Sequence, residues 1–409
     1  SKLKKYFLFG YLLGVIFWSF SVYWIFSAIN FYGAGNLVSF LITSLLILYL
    51  SLYSGLFFSS IFLFKNNRYR WLILPSTFFL LEWIKSWMIS GFPWLNLGII
   101  FDQLWGALPI IGISGTSFII IMFACLLFEQ NPFLKLGLST SLMILMLFGP
   151  GHYQTIDGKS LKLTVIQPGT NDVEKIIALT NEAAHNLVVW PEAVAWYDTS
   201  IKKQFENKTV IGGFFTRTND QVFASLVNTA DDHIYNKRNL VPFGEFQPFG
   251  KLLAKLNAFF NIPNSNLSKG KLTQKKSYWS GLICWELAFN ATFVNRAKDT
   301  SFIIHSSNDS WYGQSMPEQH LKLARARAVE SNKWVARSTT DGISQIISPN
   351  KKESSKILKR GAVGSISAEI KLNEKNTPYL MYGDYPLLVI CIVILLLTAL
   401  QKNKIVTNG

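Results

Sequence analysis

Residues 279–287 read Trp279-Ser-Gly-Leu-Ile-Cys284-Trp-Glu286-Leu287. An apolar run of strand type ends in a cysteine, and a helical pattern over Leu287–Lys298 begins at once. A thiol at a strand-to-helix turn stands at a helix N-terminus, where the helix dipole favours thiolate. A packed core cysteine gives the same local pattern, so the segment has to be read with its neighbours.

Outward from it, β-rich runs alternate with helical ones. The composition predicts strands at Leu161–Gln167, Leu187–Trp190, Thr209–Phe215, Val222–Thr229, Trp279–Cys284, Phe302–Ser307, Ile343–Ser348 and Val363–Ile370. Helices are expected at Asp172–Asn186, Pro248–Phe260, Leu287–Lys298 and Pro317–Lys333. Such alternation predicts an α/β layered domain over residues 151–381. The polar stretch Asn261–Lys276 reads as a long mobile loop, and with Trp196, Tyr197, Phe246 and Phe249 it is the expected lid.

Two further segments have the same character as the first. In Val188-Val-Trp-Pro-Glu192 a buried run ends at a proline and a carboxylate follows. In Tyr235-Asn-Lys237-Arg-Asn-Leu-Val-Pro-Phe-Gly-Glu245-Phe a lysine follows a β-like run. Each alone reads as a solvated charge in a loop. Together they place a glutamate, a lysine and a cysteine at the ends of three strands. Thiolate chemistry on a carbonyl calls for that set: a buried carboxylate with a raised pKa accepts the thiol proton, and a cation stabilises the oxyanion. The backbone N–H of Trp285, next after the thiol, is placed to donate as well. This reading requires the three side chains to meet in a pocket that opens toward lipid.

The flanks are of another kind. Half of the 409 residues are hydrophobic, and the apolar ones concentrate in residues 1–150 and 382–409. Six spans are expected, at Tyr6–Ile29, Leu37–Phe64, Trp71–Ile89, Leu108–Phe128, Phe133–Leu147 and Tyr385–Leu400. Lys2, Lys4, Lys5, Lys65, Arg68, Arg70, Lys402 and Lys404 then share the cytoplasmic side, and residues 151–381 face outward. Glu82 and Lys85 are expected to pair near the outer interface with Lys85 snorkelling, and Gly91-Phe-Pro-Trp-Leu to bed into that interface.

The net charge of +15 lies largely beside apolar runs. It points to anionic lipid headgroups, and no nucleic-acid motif accompanies it. Of the three cysteines, Cys125 and Cys391 fall in apolar runs and read as packing residues. No His/Cys/Asp cluster has metal-ligand spacing, so neither metal nor cofactor is expected. His305 and His320 read as structural or hydrogen-bonding groups. The first residue is Ser, and the chain is expected to be trimmed or partial.

The three segments resemble the Glu–Lys–Cys centre of the nitrilase (carbon–nitrogen hydrolase) superfamily. Joined to membrane spans they resemble the apolipoprotein N-acyltransferase family. The likeness is carried by Lys237-Arg-Asn-Leu-Val-Pro-Phe-Gly-Glu245, Ser307-Asn-Asp-Ser-Trp311-Tyr-Gly, Gln319-His-Leu, Ala324-Arg-Ala-Arg-Ala-Val-Glu330 and Arg337-Ser-Thr-Thr-Asp-Gly-Ile-Ser. In the membrane part it is carried by Tyr49-Leu-Ser-Leu-Tyr-Ser-Gly-Leu-Phe and Gly91-Phe-Pro-Trp-Leu.

The resemblance implies an αββα sandwich of nitrilase type beside the helical domain, with Glu192 as general base, Lys237 as oxyanion stabiliser and Cys284 as acylated nucleophile. It gives Glu245, Trp285, Glu286, Asn308 and Trp311 supporting or substrate-binding roles. Trp285 stands where the family often has tyrosine, which implies a shaping side chain and not a proton donor. Two N-terminal helices usual in the family are absent, and the stretch Gln167–Leu187, where the family has a longer Trp-bearing arm, is short and carries no Trp.

The implied activity moves an acyl chain from a membrane phospholipid, through a thioester on Cys284, to the N-terminal amine of diacylglyceryl-cysteine on an apolipoprotein. The implied protein is a monomer in the bacterial inner membrane with its catalytic domain periplasmic. Alternatives are a membrane-tethered amidase or nitrilase on a small substrate, a non-catalytic transporter or scaffold, and an inactive partial chain.

Overall fold

The computed structural model describes residues 1–409 except 32, 206, 247–265, 351–352 and 408–409, with the backbone alone for 402–407. It divides into two units. Ser1–Tyr23, Leu41–Tyr153 and Met381–Gly409 form one, and Trp24–Phe40 with Gln154–Leu380 form the other. The expected helix Pro248–Phe260, Phe249 and the start of the Asn261–Lys276 loop lie outside the described residues.

The first unit is helical. Helix α1 (Lys2–Ser21) ends before α2 (Trp24–Phe31), which belongs to the second unit; α3 (Gly35–Phe64), α4 (Arg70–Lys85), α5 (Leu108–Leu126) and α6 (Ser139–Phe148) follow. Among the described residues four segments, Lys2–Ser21, Gly35–Phe64, Asp102–Leu126 and Phe133–His152, are long and apolar enough to cross a membrane, and the expected spans Trp71–Ile89 and Tyr385–Leu400 are not among them. A 20-residue helix rises about 30 Å, the thickness of the hydrocarbon core. Leu8, Phe9, Leu12, Ile16 and Phe20 on α1 and Leu41, Leu45 and Leu52 on α3 are exposed. Water would oppose so much open apolar surface, whereas lipid solvates it. Inside the unit, Phe79, Phe118, Ile119, Met122, Leu126, Met146 and Cys391 form the core.

Three membrane expectations change. The first span, expected over Tyr6–Ile29, breaks after Ser21, where Val22 has φ −123°; the continuation α2 is packed by tertiary contacts within the other unit. Lys85 does not snorkel. It is buried, 2.8 Å from Glu82 and over the Trp18 ring, because the pair and the aromatic face replace water. Phe92 and Trp94, expected to be interfacial, are buried inside the unit.

The second unit is an α/β domain with two sheets. Its strands are β1 (Ser160–Gln167), β2 (Leu187–Val189), β3 (Ala195–Trp196), β4 (Thr209–Thr218), β5 (Gln221–Asn228), β6 (His233–Asn236), β7 (Trp279–Ile283), β8 (Phe302–Ser307), β9 (Val335–Thr339), β10 (Gln345–Ile347) and β11 (Gly364–Lys371). One sheet runs β11-β1-β2-β4-β5-β6 with β3 also on β4, and the other runs β10-β9-β8-β7. Strands β1, β2 and β4 are parallel, as are β7, β8 and β9. The sheets are tied across their faces: Ser306 and Ser338 hydroxyls donate to the Trp190 and Ile166 carbonyls.

Helix α7 (Val173–Asn181) begins where the Asp172 side chain accepts from the Glu174 N–H, and its Ile176 joins Ile166, Val188, Trp190 and Phe214 in the core. Helices α8 (Asn290–Ala297) and α9 (Ser315–Ser331) belong to the four-stranded side, and α9 stops at Asn332 in the left-handed region.

Strands β3 and β9 were not expected, and β6 is the β-like run read before Lys237. Strand β9 is Val335-Ala-Arg-Ser-Thr339, which carries no apolar run, yet all five residues are buried. The loop expected to be mobile is pinned over its described part: Leu267, Ser268 and Gly270 donate backbone hydrogen bonds to Glu245, Val222 and Lys237, and Gln274 bonds both backbone groups of Asn236.

Candidate active site

Topology brings strand ends together. Strand β6 is antiparallel to β5, which is antiparallel to β4, so β6 runs with β2 and β4. Glu192, just beyond β2, and Lys237, just beyond β6, therefore lie at the same edge of one sheet. Cys284 and Asn308 follow β7 and β8, the corresponding edge of the other sheet. Glycine makes the approach possible: a Cβ on Gly213 of β4 would lie 2.4 Å from the Pro191 carbonyl and 2.5 Å from the Glu192 Cα.

Lys237 is the hub. Its Nζ donates to Glu192 Oε1 at 2.7 Å and to Glu245 Oε1 at 2.6 Å, and the residue has 0% exposure. Burial works against its charge, but the two carboxylates outweigh it and hold the ammonium well above the ordinary lysine range. Glu192 also accepts the Asn308 N–H at 3.1 Å. Burial pushes its carboxyl up; Lys237 opposes this and Glu245 adds to it, leaving Glu192 at about 7. A carboxylate that titrates there is suited to move a proton at neutral pH.

Cys284 has φ 54° and is fully buried. Its turn, Cys284–Ala288, is a five-residue 3-10 segment, not the start of a full helix. Burial, then the charge of Glu192, pushes the thiol up against the pull of Lys237. The expected depression by a helix dipole is overturned here, because desolvation exceeds what one short turn supplies. The expected opening at the sulfur is absent too: among the described residues no surface of Cys284 is exposed, so a carbonyl reaches Sγ only after neighbours move. Tyr312 Oη lies 3.8 Å from Sγ.

The supporting residues divide by what they touch. Glu245 Oε2 accepts the Val241 N–H at 2.7 Å and so closes the turn that carries it onto Lys237. Glu286 accepts the Tyr235 hydroxyl and the N–H groups of Arg238, Asn239 and Ile283. It therefore knits the chain after β6 to the chain before Cys284. The Trp285 indole N–H donates to the Asn239 carbonyl at 2.7 Å. Trp311 stacks on Tyr312 with centroids 3.8 Å apart.

A second buried network lies behind the nucleophile. The Cys284 carbonyl accepts from His305 Nε2 at 2.9 Å and faces His320 Nε2 at 3.2 Å. Arg337 donates to His305 Nδ1 at 2.7 Å and to Asp309 Oδ2 at 2.6 Å, so the His305 proton sits on Nε2. Asp309 also accepts the Ser307 hydroxyl and lies 3.3 Å from His320 Nδ1. Asp309, Arg337 and Tyr312 fall in the quoted sequence segments without having drawn a role. For Arg337 the signal was a charge within an otherwise strand-like run. Among the described residues no group of three His, Cys, Asp or Glu side chains could hold a metal ion.

Residues 1–126 match the apolipoprotein N-acyltransferase N-terminal domain, and residues 204–374 match the carbon-nitrogen hydrolase domain. The apolipoprotein N-acyltransferase of Haemophilus influenzae is 28% identical over 94% of this chain and 84% of its own length. That of Wigglesworthia glossinidia brevipalpis is 29% identical over 97% and 89%, and that of Coxiella burnetii 29% over 96% and 90%.

Proposed function

We infer from its membership of the apolipoprotein N-acyltransferase family that this chain, a membrane acyltransferase, works by a cysteine acyl-enzyme in which Glu192, Lys237 and Cys284 carry the chemistry. The observation that carries the assignment is the buried Glu192–Lys237–Glu245 cluster, electrostatically coupled to the thiol, with Glu192 at about 7.

Glu192 as carboxylate takes the Cys284 proton. The thiolate attacks an ester carbonyl of a membrane phospholipid, and the Lys237 ammonium faces the oxyanion. The lysophospholipid oxygen leaves with the proton from Glu192, and a thioester remains. The α-amine of diacylglyceryl-cysteine at a lipoprotein N-terminus then attacks. Glu192 takes its proton, the C–S bond breaks, and the proton returns to sulfur. The product is an amide. Glu245 holds Lys237 in place, and Glu286, Trp285, Asn308 and Trp311 fix the surrounding chain.

Both substrates are lipids and diffuse in the plane of the membrane. The basic flanks of the expected spans support a catalytic domain on the outer, periplasmic face of a bacterial inner membrane. The buried thiol fits an enzyme that shields its thioester from water.

Mass spectrometry tests the reading. After mixing with phospholipid, the purified protein is expected to carry one acyl chain on Cys284, and Cys284→Ala none. A diacylglyceryl-cysteine peptide should then discharge it as amide. Discharge to water alone would identify a hydrolase, and no adduct would remove the acyl-enzyme.

A further inference from the structure

The sulfur at this site is poorly placed to ionise by itself. It is buried, it feels the Glu192 charge, and the turn that begins at Cys284 is five residues long. Lys237 Nζ bonds two carboxylates at 2.7 and 2.6 Å. The Trp285 indole N–H is directed to the Asn239 carbonyl. A phenolic hydroxyl, by contrast, stands at the sulfur: Tyr312 Oη is 3.8 Å from Sγ.

The Tyr312 ring is held from several sides. Trp311 stacks on it at 3.8 Å, and Trp24 of α2 meets it edge to face at 5.1 Å. The Trp24 indole N–H is itself anchored on Gln319 Oε1. Arg360 donates to the Tyr312 carbonyl at 2.9 Å, and the Tyr312 N–H reaches the Asp309 carbonyl. The oxygen of a ring so fixed is in place before any substrate arrives, which is what a hydrogen bond to developing charge requires.

We propose that Tyr312 is a further catalytic residue, whose hydroxyl donates to the Cys284 sulfur whenever that sulfur is a thiolate. In the first step the S–H bond breaks, the proton passes to the Glu192 carboxylate, and the electron pair stays on sulfur, where the Tyr312 O–H points. The tyrosine O–H bond stays intact. In the second step the C–S bond of the amine adduct breaks and the pair returns to sulfur under the same hydrogen bond. The proton that Glu192 took from the amine then restores the thiol. Trp24 and Trp311 act as positioning residues through the ring. The proposal rests on the acyl-enzyme reading above.

The test is single-turnover formation of the Cys284 thioester from a diacyl phosphatidylethanolamine in detergent, followed by mass spectrometry across pH. Wild-type protein is measured first; if it forms no thioester, the acyl-enzyme reading falls and this proposal with it. Tyr312→Phe keeps the ring and removes one oxygen. It is expected to slow acylation about tenfold at neutral pH, the effect of one hydrogen bond to a charged group, without moving the pH limb, which Glu192 sets. An unchanged rate overturns the proposal. 3-Fluorotyrosine at position 312 keeps the ring and its packing with a more acidic hydroxyl, a stronger donor to thiolate. It should raise the acylation rate above that of the wild type, which a role in packing alone does not produce, and an unchanged or lower rate overturns the proposal.

Discussion

Glu192 and Asp309 are both buried carboxylates in the same unit, 5% and 0% exposed, and their environments drive them opposite ways. Asp309 has Arg337 at 2.6 Å, the Ser307 hydroxyl and His320, and these overcome burial and hold it far below the usual carboxylate range. Glu192 shares the Lys237 ammonium with Glu245, and stands at about 7. Burial alone therefore does not decide which group is reactive; the ratio of anions to cations around it does. One carboxylate to one guanidinium makes a fixed scaffold beneath the nucleophile. Two carboxylates to one ammonium leave a group ready to exchange a proton.

The sharpest way to break the scaffold half is Arg337→Met. It leaves Asp309 as an anion without its main cation, and stability should fall by about 3–5 kcal/mol, read as chemical denaturation of the detergent-solubilised protein. A loss under about 1 kcal/mol would mean the network is dispensable. On the reactive half, Lys237→Met should lower the single-turnover rate of Cys284 acylation by roughly 10²–10³ while the protein remains folded, since two carboxylates left together can share a proton. Retention of rate would remove Lys237 from the chemistry.

The smallest effect is the most discriminating. Glu192 is active as carboxylate and its pKa is raised, so the wild-type rate should climb as pH rises through about 7 and fall away below it. Glu245 is one cause of that elevation. Glu245→Gln removes a negative neighbour and should move the limb to lower pH. An upward move, or none, would show that Glu245 does not set the base.

Much of the site was legible because its members are punctuated. Pro191 before Glu192, the Pro242–Gly244 pair before Glu245, and a cysteine that ends an apolar run are local marks. The apolar strands β1, β7 and β8 were legible for the same reason. Strand β9 was not, because Arg337 in its centre reads as a surface residue until its partner Asp309, 28 residues away, is known. Nor could pattern show that α1 stops at Ser21, since Tyr6–Ile29 is apolar throughout and only packing of Trp24 on Tyr312 distinguishes its end. Glu286 was read as an acid beside the nucleophile; its lone pairs turn out to serve backbone N–H groups.

The order of residues along this chain settled the kinds of element and the kinds of side chain at their ends, because hydrophobic period and chain breakers act over a few neighbours. Which carboxylate would hold its charge, which hydroxyl would meet the sulfur, and how deep the thiol would lie were decided only by the folded sheets. Those are properties of distance and desolvation, and residues far apart in the chain acquire them only when strand ends converge.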